Sequence, residues 1–212
     1  VEDGGVSLQV DVDFDTFALT SISAFRNNKS NYMADVDYTT LDILTEEGHT
    51  DIDTFTQEFR LTSTGDNTLD WMVGMFYFSE EVDTGDTLFY GQNVRSYFDV
   101  LLNAGVAQAL ASLPTPLPFD AVFPDGFLGT FEPLYGQAPG TFFNANQFVN
   151  SEFLQKNDAL SIFLNLDYHI SDKLTATLGV SYTEDEKDVS IEQVNNEALS
   201  SIDLVNDPTV FG

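Results

Sequence analysis

Residues 160–183 read LSIFLNLDYHISDKLTATLGVSYT, and this stretch decides the fold. Apolar and polar residues alternate along it with a period of two, the pattern of a β-strand whose two faces meet different surroundings. Turn residues at 171–173 interrupt the alternation, and the same parity then resumes. The apolar parity consists of Leu160, Ile162, Leu164, Leu166, Tyr168, Ile170, Leu174, Ala176, Leu178, Val180 and Tyr182. The stretch predicts a long antiparallel hairpin, 160–170 paired with 174–183.

Four further segments predict two more hairpins, 6–14 paired with 17–26 and 55–63 paired with 69–78. Short turns force adjacent pairing of each hairpin. The register of 17–26 stays open, because its apolar residues fall on both parities. Strands of roughly 10 residues exceed the usual length of about 5–6 in globular proteins. The sequence therefore predicts an all-β fold, an antiparallel meander of about six long strands.

The connections between the hairpins are long, whereas the turns within them are short. Long segments span 27–53, 80–157 and 184 to the end. Short turns on one side and long loops on the other are typical of outer-membrane β-barrels. We therefore interpret 1–212 as part of a large transmembrane β-barrel, with 80–157 as a long extracellular loop. Within that loop, 99–113 is rich in Ala and Leu and predicts a short helix that ends before Pro114.

Composition excludes several classes of function. The chain has 35 acidic against seven basic residues, for a net charge of −28, so nucleic acid is a poor partner. It has no cysteine, which excludes disulfides, thiolate metal sites and cysteine nucleophiles. No apolar run approaches the length of a membrane-spanning helix. The N-terminus has no signal-peptide pattern, so we expect either a removed leader or a chain that begins within a larger protein.

Candidate catalytic and metal-binding residues lack the partners that such sites need. His49 and His169 are the only histidines, and neither has a partner at a recognisable spacing. Asp11, Asp13 and Asp15 resemble the start of a calcium loop, but the glycine and the final acidic residue of that motif are missing. We expect no catalytic residue, no metal site and no cofactor, and hence a protein that is not an enzyme.

Charged and aromatic residues on the predicted strands suit a barrel. Glu58 and Arg60 share the polar face of one strand, where an ion pair would face the interior. Aromatic rings near turns or strand–loop boundaries are typical of the interfacial girdles of membrane barrels. The alternative for these rings is core packing in a soluble sheet. The rings concerned are Trp71, Tyr77, Phe78, Tyr168 and Tyr182.

Two stretches resemble recurrent hairpins of TonB-dependent outer-membrane receptors. One is TFTQEFRLTS at 54–63 followed by LDWMVGMFYF at 69–78. The other is DKLTATLGVSYTEDEK at 172–187, similar to a family strand of the form L-x-L-G-x-R-Y-T-x-E-x-K. Ser181 stands where the family commonly has Arg, with milder departures at Ala176 and Asp185. The resemblance covers the strands, about half of the chain, and hardly touches the long loop.

The resemblance implies a bacterial outer-membrane barrel of about 22 strands, with a plug domain and a TonB-contacting segment that lie outside this chain. It implies membrane lipid, TonB and a small-molecule ligand such as a ferric siderophore as partners, and energised nutrient uptake as the function. We expect ligand contacts from aromatic residues of the long loop, namely Tyr90, Tyr97, Phe127 and Tyr135, since rings can stack on planar or apolar ligands. The alternative is a soluble or surface all-β binding module with an aromatic and Pro-rich recognition loop. Exposure of the apolar parity of the last hairpin would separate the two.

Overall fold

A computed structural model describes residues 1–202 of the chain. Its strands are β1 (Glu2–Asp13), β2 (Phe17–Asp35), β3 (Leu44–Ser63), β4 (Leu69–Tyr90), β5 (Phe148–Ser171) and β6 (Leu174–Asn195). Between β4 and β5 lie α1 (Val94–Ala111), α2 (Phe119–Val122) and α3 (Gly126–Leu134), and a 3-10 turn at Leu199–Ser201 follows β6. Within residues 1–202, no helix has both the length and the apolar character needed to cross a membrane.

The six strands form one sheet in sequence order, β1-β2-β3-β4-β5-β6, as an antiparallel meander. The predicted all-β meander and its three hairpins are therefore confirmed. The pairing of β1 with β2 also settles the open register, because Val6 lies opposite Phe25 and Val12 opposite Leu19. Ile22 lies opposite Gln9, so it belongs to the other face. The apolar residues of 17–26 fall on both parities because β2 contributes apolar side chains to both faces.

The strands are longer than the alternation indicated, which corrects the predicted boundaries of the loops. β2 continues to Asp35 and β3 begins at Leu44, so the predicted segment 27–53 contracts to 36–43. In the same way 80–157 contracts to 91–147, and β6 runs on to Asn195. The alternation of apolar and polar residues ends where both faces of the strands are polar, but the strands remain paired beyond that point. Polar contacts accompany the extensions: Thr50 and Thr84 hydroxyls lie 3.3 Å apart, and Asn150 donates to Thr87 over 2.9 Å.

The chain divides into two compact units. The sheet unit comprises Val1–Asn31, His49–Thr84 and Glu152–Ile191. The loop unit comprises Tyr32–Gly48, Gly85–Ser151 and the described residues 192–202. Among residues 1–202, the fully buried hydrophobic side chains belong to the loop unit; they are Ile43, Val94, Leu128 and Phe142. The apolar side chains of the sheet unit are therefore not fully buried.

Side-chain contacts show which residues of the sheet unit share a face. Gln57 of β3 hydrogen-bonds Ser23 of β2 over 2.5 Å. The ring of Phe55 lies 6.3 Å from that of Tyr77 on β4, and Tyr77 donates to Asp158 of β5 over 2.6 Å. Together with the β1–β2 register, these contacts join the even residues of β1, the odd residues of β2, β3 and β4, and the even residues of β5. Ser161 hydrogen-bonds Thr183, so odd residues of β5 and β6 share the opposite face and the even residues of β6 belong with those of β5. We call this surface the apolar face.

The apolar face lies open. The apolar residues of the last hairpin do not lie in a core, which is the outcome that the barrel interpretation predicts: Leu164 is 38% exposed and Val180 58%. Leu166 is half-buried. The exposed members of this face are Val6, Leu8, Val10, Val12, Phe25, Phe55, Phe59, Leu69, Leu160, Ile162, Leu164, Tyr168, Ile170, Leu174, Leu178, Val180 and Tyr182. An apolar surface on this scale is unusual for a protein surrounded by water.

One close packing contact on the opposite face of the sheet depends on glycine. The Phe163 ring of β5 lies directly over Gly74 of β4, which is buried. A Cβ at position 74 would come within 2.3 Å of that ring. The ring takes the place that a side chain on β4 would otherwise fill, so it covers the backbone at this point.

Candidate ligand-binding site

Five aromatic rings of the loop unit follow one another in one continuous row, which we call the aromatic ladder. Successive rings are inclined to each other by 35°, 62°, 19° and 49°, so only the third pair is stacked. Successive ring centroids lie 5.4, 5.4, 5.2 and 4.7 Å apart. These distances fall within the 4.5–7 Å range that favours aromatic pairs. Every ring of the row is half-buried. The members are Phe119, Phe123, Phe127, Phe131 and Tyr135.

The ladder forms because its members are four residues apart. Side chains at i and i+4 lie on the same side of a helix, one above the other. The spacing persists across the break between α2 and α3, where Phe123 N donates to Phe119 O over 2.8 Å. Leu128 and Glu132 lie about 100° further round α3, on the neighbouring side of the helix, and are buried. Thus α3 packs one side against the loop unit and keeps the rings partly open.

A second group of rings continues from the ladder. The Phe131 ring lies 6.2 Å from the buried ring of Phe142. The next residue, Phe143, has a φ of +53°, an uncommon conformation for a bulky side chain. Its ring stacks on Phe98 at 4.1 Å and lies 6.4 Å from Tyr90. Adjacent residues therefore join the two groups of rings.

A buried ion pair fixes the backbone beside these rings. The Glu132 carboxylate is fully buried, and Arg95 of α1 binds its two oxygens over 2.5 and 3.2 Å. The same carboxylate accepts from Phe142 N at 2.6 Å and from Gly140 N at 2.7 Å. Arg95 also donates to Phe142 O over 2.7 Å. Helices α1 and α3 and residues 140–142 are thus held by one charge-assisted network.

This network also sets the ionisation of Glu132. Burial alone would raise the pKa of the carboxyl, because a charge is costly to desolvate. Hydrogen bonds from Arg95 and from the amides of Phe142 and Gly140 outweigh that cost, so the pKa of Glu132 lies below its ordinary value. The carboxylate is therefore charged at neutral pH, which the ion pair requires.

The connection 36–43 is hydrogen-bonded to the residues that precede α1. Asp37 accepts hydrogen bonds from the side chain of Thr39 and from the amide of Leu44, which lower its pKa to about 2. Ile43 is buried, and its carbonyl accepts from Gly91 N at 2.8 Å. Asn93 N donates to Asp42 O over 2.7 Å. The shorter connection thus supports the residues that lead into α1.

The four ring residues expected from the sequence fall into the two ring groups. Phe127 and Tyr135 are members of the ladder. Tyr90 is half-buried beside Phe143, and burial followed by the nearby Glu197 carboxylate raises its pKa. Tyr97 is 44% exposed, and its ring meets Phe98 edge-on at 5.5 Å.

Sequence reasoning missed the other three ladder rings, Phe119, Phe123 and Phe131. The spacing of four residues from 119 to 135 was the signal that could have found them. Partly exposed aromatic rings of this kind can pack against an apolar group of a ligand, while backbone and amide groups nearby bind polar edges.

The structure also gives the histidines partners that sequence spacing could not reveal. His169 Nε2 on β5 lies 2.8 Å from Asp70 Oδ2 on the neighbouring strand β4. His49 Nε2 lies 3.7 Å from an oxygen of Asp83 and 3.7 Å from one of Glu152. The atoms of these last three residues lie within 4.8 Å of one another, on partly exposed side chains of β3, β4 and β5. The expected pair on β3 is present too, with Arg60 Nε 3.1 Å from Glu58.

Comparison with solved structures shows that the fold of this chain, an antiparallel sheet of long strands, is similar to part of an uptake receptor. One similar structure is the crystal structure of the ferric yersiniabactin uptake receptor FyuA from Yersinia pestis, with a TM-score of 0.56 and 12% sequence identity. The match covers 92% of this chain and 22% of that chain, so the chain spans about a fifth of the receptor's length. At this identity the likeness shows the fold alone. No family model matches the sequence, and no curated protein matches it.

Proposed function

We propose that the chain is a barrel-wall segment of a TonB-dependent receptor in the bacterial outer membrane. In this role the apolar face contacts lipid, and 91–147 forms an extracellular loop. The receptor takes up a scarce, bulky nutrient such as a ferric siderophore, with energy delivered through TonB to a plug outside this chain. The wall and loop have no catalytic task.

The observation that carries the proposal is the state of the apolar residues in the sheet unit. The sheet presents a wide apolar face, and within residues 1–202 the fully buried hydrophobic side chains lie in the loop unit instead. Burial of apolar area is the main favourable term in folding, so an exposed face of this size needs a nonaqueous neighbour. Lipid is that neighbour in a barrel wall, where strands alternate apolar-out and polar-in. A soluble binding module would instead need a core beneath the same residues.

The fold match to an uptake receptor supports the same role. The short turns 14–16, 64–68 and 172–173 join the two strands of each hairpin at one end, while the connection 91–147 between two hairpins is long and carries aromatic rings. This asymmetry suits a barrel whose long loops face outwards. The ligand contacts proposed for Tyr90, Tyr97, Phe127 and Tyr135 rest on their membership of the two ring groups.

A growth experiment tests the proposal. The gene that contains this chain is deleted in its own bacterium, and growth is measured under iron limitation on a panel of single ferric siderophores. We expect loss of growth on one siderophore, the same loss when TonB is deleted, and recovery when the complete gene is returned. A complete gene with residues 91–147 replaced by a short turn should reach the outer membrane but fail to restore growth. Unchanged growth across the panel would contradict iron uptake as the function.

A further inference from the structure

We infer that His49, Asp83 and Glu152 together bind a divalent transition metal ion such as Zn²⁺. The three side chains come from β3, β4 and β5, which are neighbouring strands within the sheet unit. Metal binding at this place is separate from the proposed uptake of a nutrient and does not depend on it. The sequence predicted no metal site because both partners of His49 lie on other strands.

The donor atoms of the three side chains are spaced almost as a zinc ion needs them. His49 Nε2 lies 3.7 Å from Asp83 Oδ1 and 3.7 Å from Glu152 Oε2, and one ligand atom from each residue lies within 4.8 Å of the others. Zinc binds nitrogen and oxygen ligands at about 2.0–2.2 Å, which places neighbouring ligands of a tetrahedral site about 3.4 Å apart. All three side chains are at least partly exposed, so small rotations can close the remaining gap.

The imidazole distinguishes this cluster from a group of surface carboxylates. A nitrogen ligand together with carboxylate oxygens suits zinc and related transition metals, whereas Ca²⁺ and Mg²⁺ are bound by oxygen ligands. Three protein ligands also leave the fourth position of a zinc ion to water, as in sites that keep a coordination position open. Within residues 1–202, this is the one group of three such side chains with this spacing.

Strand pairing holds the three residues in place before any ion binds. β4 lies between β3 and β5 in the sheet, so His49 and Glu152 approach Asp83 from its two sides. The hydroxyl of Thr84, on the other face of β4, donates to the carbonyl oxygen of His49 over 2.9 Å. The same hydroxyl lies 3.3 Å from that of Thr50. Binding therefore needs movement of side chains only, which keeps its cost in conformational entropy low.

The cluster lies beyond the apolar part of the sheet, where an ion can reach it from water. His49 has the same parity as Phe55 on β3 but lies six residues further along the strand, about 20 Å away in an extended chain. Asp51 and Asp53 occupy the positions of this parity between them. Carboxylates close to the cluster raise the local concentration of cations and so favour encounter with the ion.

The test measures metal binding to the complete protein encoded by the gene, in lipid nanodiscs and without a polyhistidine tag. Zn²⁺ and Ca²⁺ are titrated separately by equilibrium dialysis, with empty nanodiscs as the blank. In His49→Gln we expect one zinc ion per protein to bind at least about tenfold more weakly, because even the groups that orient metal ligands contribute about tenfold or more to affinity. Binding of Ca²⁺ should not respond to this change.

Two further variants assign the zinc ion to these side chains. Asp83→Asn removes a carboxylate ligand from an exposed position and should weaken the same zinc ion. His169→Gln is the matched control, because it removes the other histidine of the chain, which lies 2.8 Å from the single carboxylate of Asp70. It should leave zinc binding unchanged. X-ray absorption at the zinc edge should lose imidazole scattering in His49→Gln and retain it in His169→Gln.

Two results would overturn the inference. One is equal zinc binding by the parent protein and His49→Gln, which would leave the cluster as an ion pair between the imidazole and two carboxylates. The other is a loss of zinc binding in His169→Gln as large as that in His49→Gln. Neither result affects the growth phenotype of the gene deletion, so failure of this inference is distinguishable from failure of the proposed function.

Discussion

The two units of the molecule handle apolar residues in opposite ways. In the sheet unit Val6 is 69% exposed and Val180 58%, although both belong to regular strands. In the loop unit Val94 and Phe142 are completely buried, although the segment between β4 and β5 is long and rich in Pro. The part with the most regular secondary structure thus lacks the buried core that the irregular part has. The difference teaches that backbone hydrogen bonding between strands holds the sheet unit together, whereas side-chain packing holds the loop unit together.

The largest effect is expected where the loop unit depends on a single charge. Glu132→Gln leaves Arg95 without its buried partner, and breaking such a pair costs about 3–5 kcal/mol. We expect faster amide hydrogen exchange at 140–142 and in α3, with β5 and β6 unchanged. Asp99→Asn is the control, since this partly exposed carboxylate contributes only about 0.5 kcal/mol as an i,i+4 pair. Equal protection of the loop in both variants would contradict the role of Glu132.

The next largest effect is expected on the exposed apolar face of the sheet unit. Leu164→Arg places a charge on the apolar face, which costs about 2–4 kcal/mol near the middle of a bilayer. We expect a lower unfolding midpoint in denaturant titrations of the lipid-inserted chain and less protein in the outer membrane.

The matched control for Leu164→Arg is Ser181→Arg, on the opposite face of the neighbouring strand. Ser161 of that face lies 2.7 Å from Thr183, which places Ser181 on the same side. This arginine should be tolerated. If Leu164→Arg were equally harmless, the apolar face would not meet lipid.

A smaller effect is expected at the ring-over-glycine contact of the sheet. Gly74→Ala forces Phe163 to move, and overpacking of this kind costs about 1–3 kcal/mol. The double variant G74A/F163L should recover part of the loss, because the smaller side chain leaves room for the new methyl group. Gly105→Ala in α1 has open space around it and serves as the control. Additive effects in the double variant would mean that the two positions are not coupled.

The smallest effect is expected on the loop unit when the pH is lowered. The pKa of Glu132 is lowered in the folded loop, so its contribution is fully present above the ordinary glutamate pKa of about 4.3 and is lost as pH falls through the lower folded value. We expect the loop unit to become susceptible to pepsin as the pH falls below the ordinary glutamate pKa, while the β-sheet circular dichroism signal persists. The Glu132→Gln variant should already be susceptible at higher pH. Loss of both signals at one pH would contradict independent behaviour of the two units.

How much the sequence could predict follows from the range of each interaction. Alternation from Leu160 to Tyr182 is local, so the hairpin and its open face could be predicted. The C-terminal part of β4 could not be predicted. Residues such as Thr84 and Thr87 lie where both faces of the strand are polar, so apolar and polar residues do not alternate there. The i+4 spacing of Phe127, Phe131 and Tyr135 is also local, and it was available for the whole ladder.

Long-range contacts were beyond the reach of the sequence. Arg95 and Glu132 are 37 positions apart, and no spacing rule joins them. His49 and Glu152 come from β3 and β5 and meet only through the order of strands in the sheet. Two rings of the ladder could therefore be proposed as ligand contacts from the sequence, whereas the ion pair beside them required the structure.

The chain contains one tryptophan, and it lies on the apolar face, so one measurement tests the contact with lipid directly. Trp71 fluorescence is recorded in vesicles of brominated phospholipid, with acrylamide as the quencher in water. A second sample carries W71F/L164W, which moves the reporter along the face, and a third carries W71F/S181W on the opposite face. We predict strong quenching by bromine and weak quenching by acrylamide for Trp71 and for the Leu164→Trp reporter, and the reverse for the Ser181→Trp reporter. Strong acrylamide quenching of the two apolar-face reporters, without quenching by bromine, would contradict the membrane-wall account.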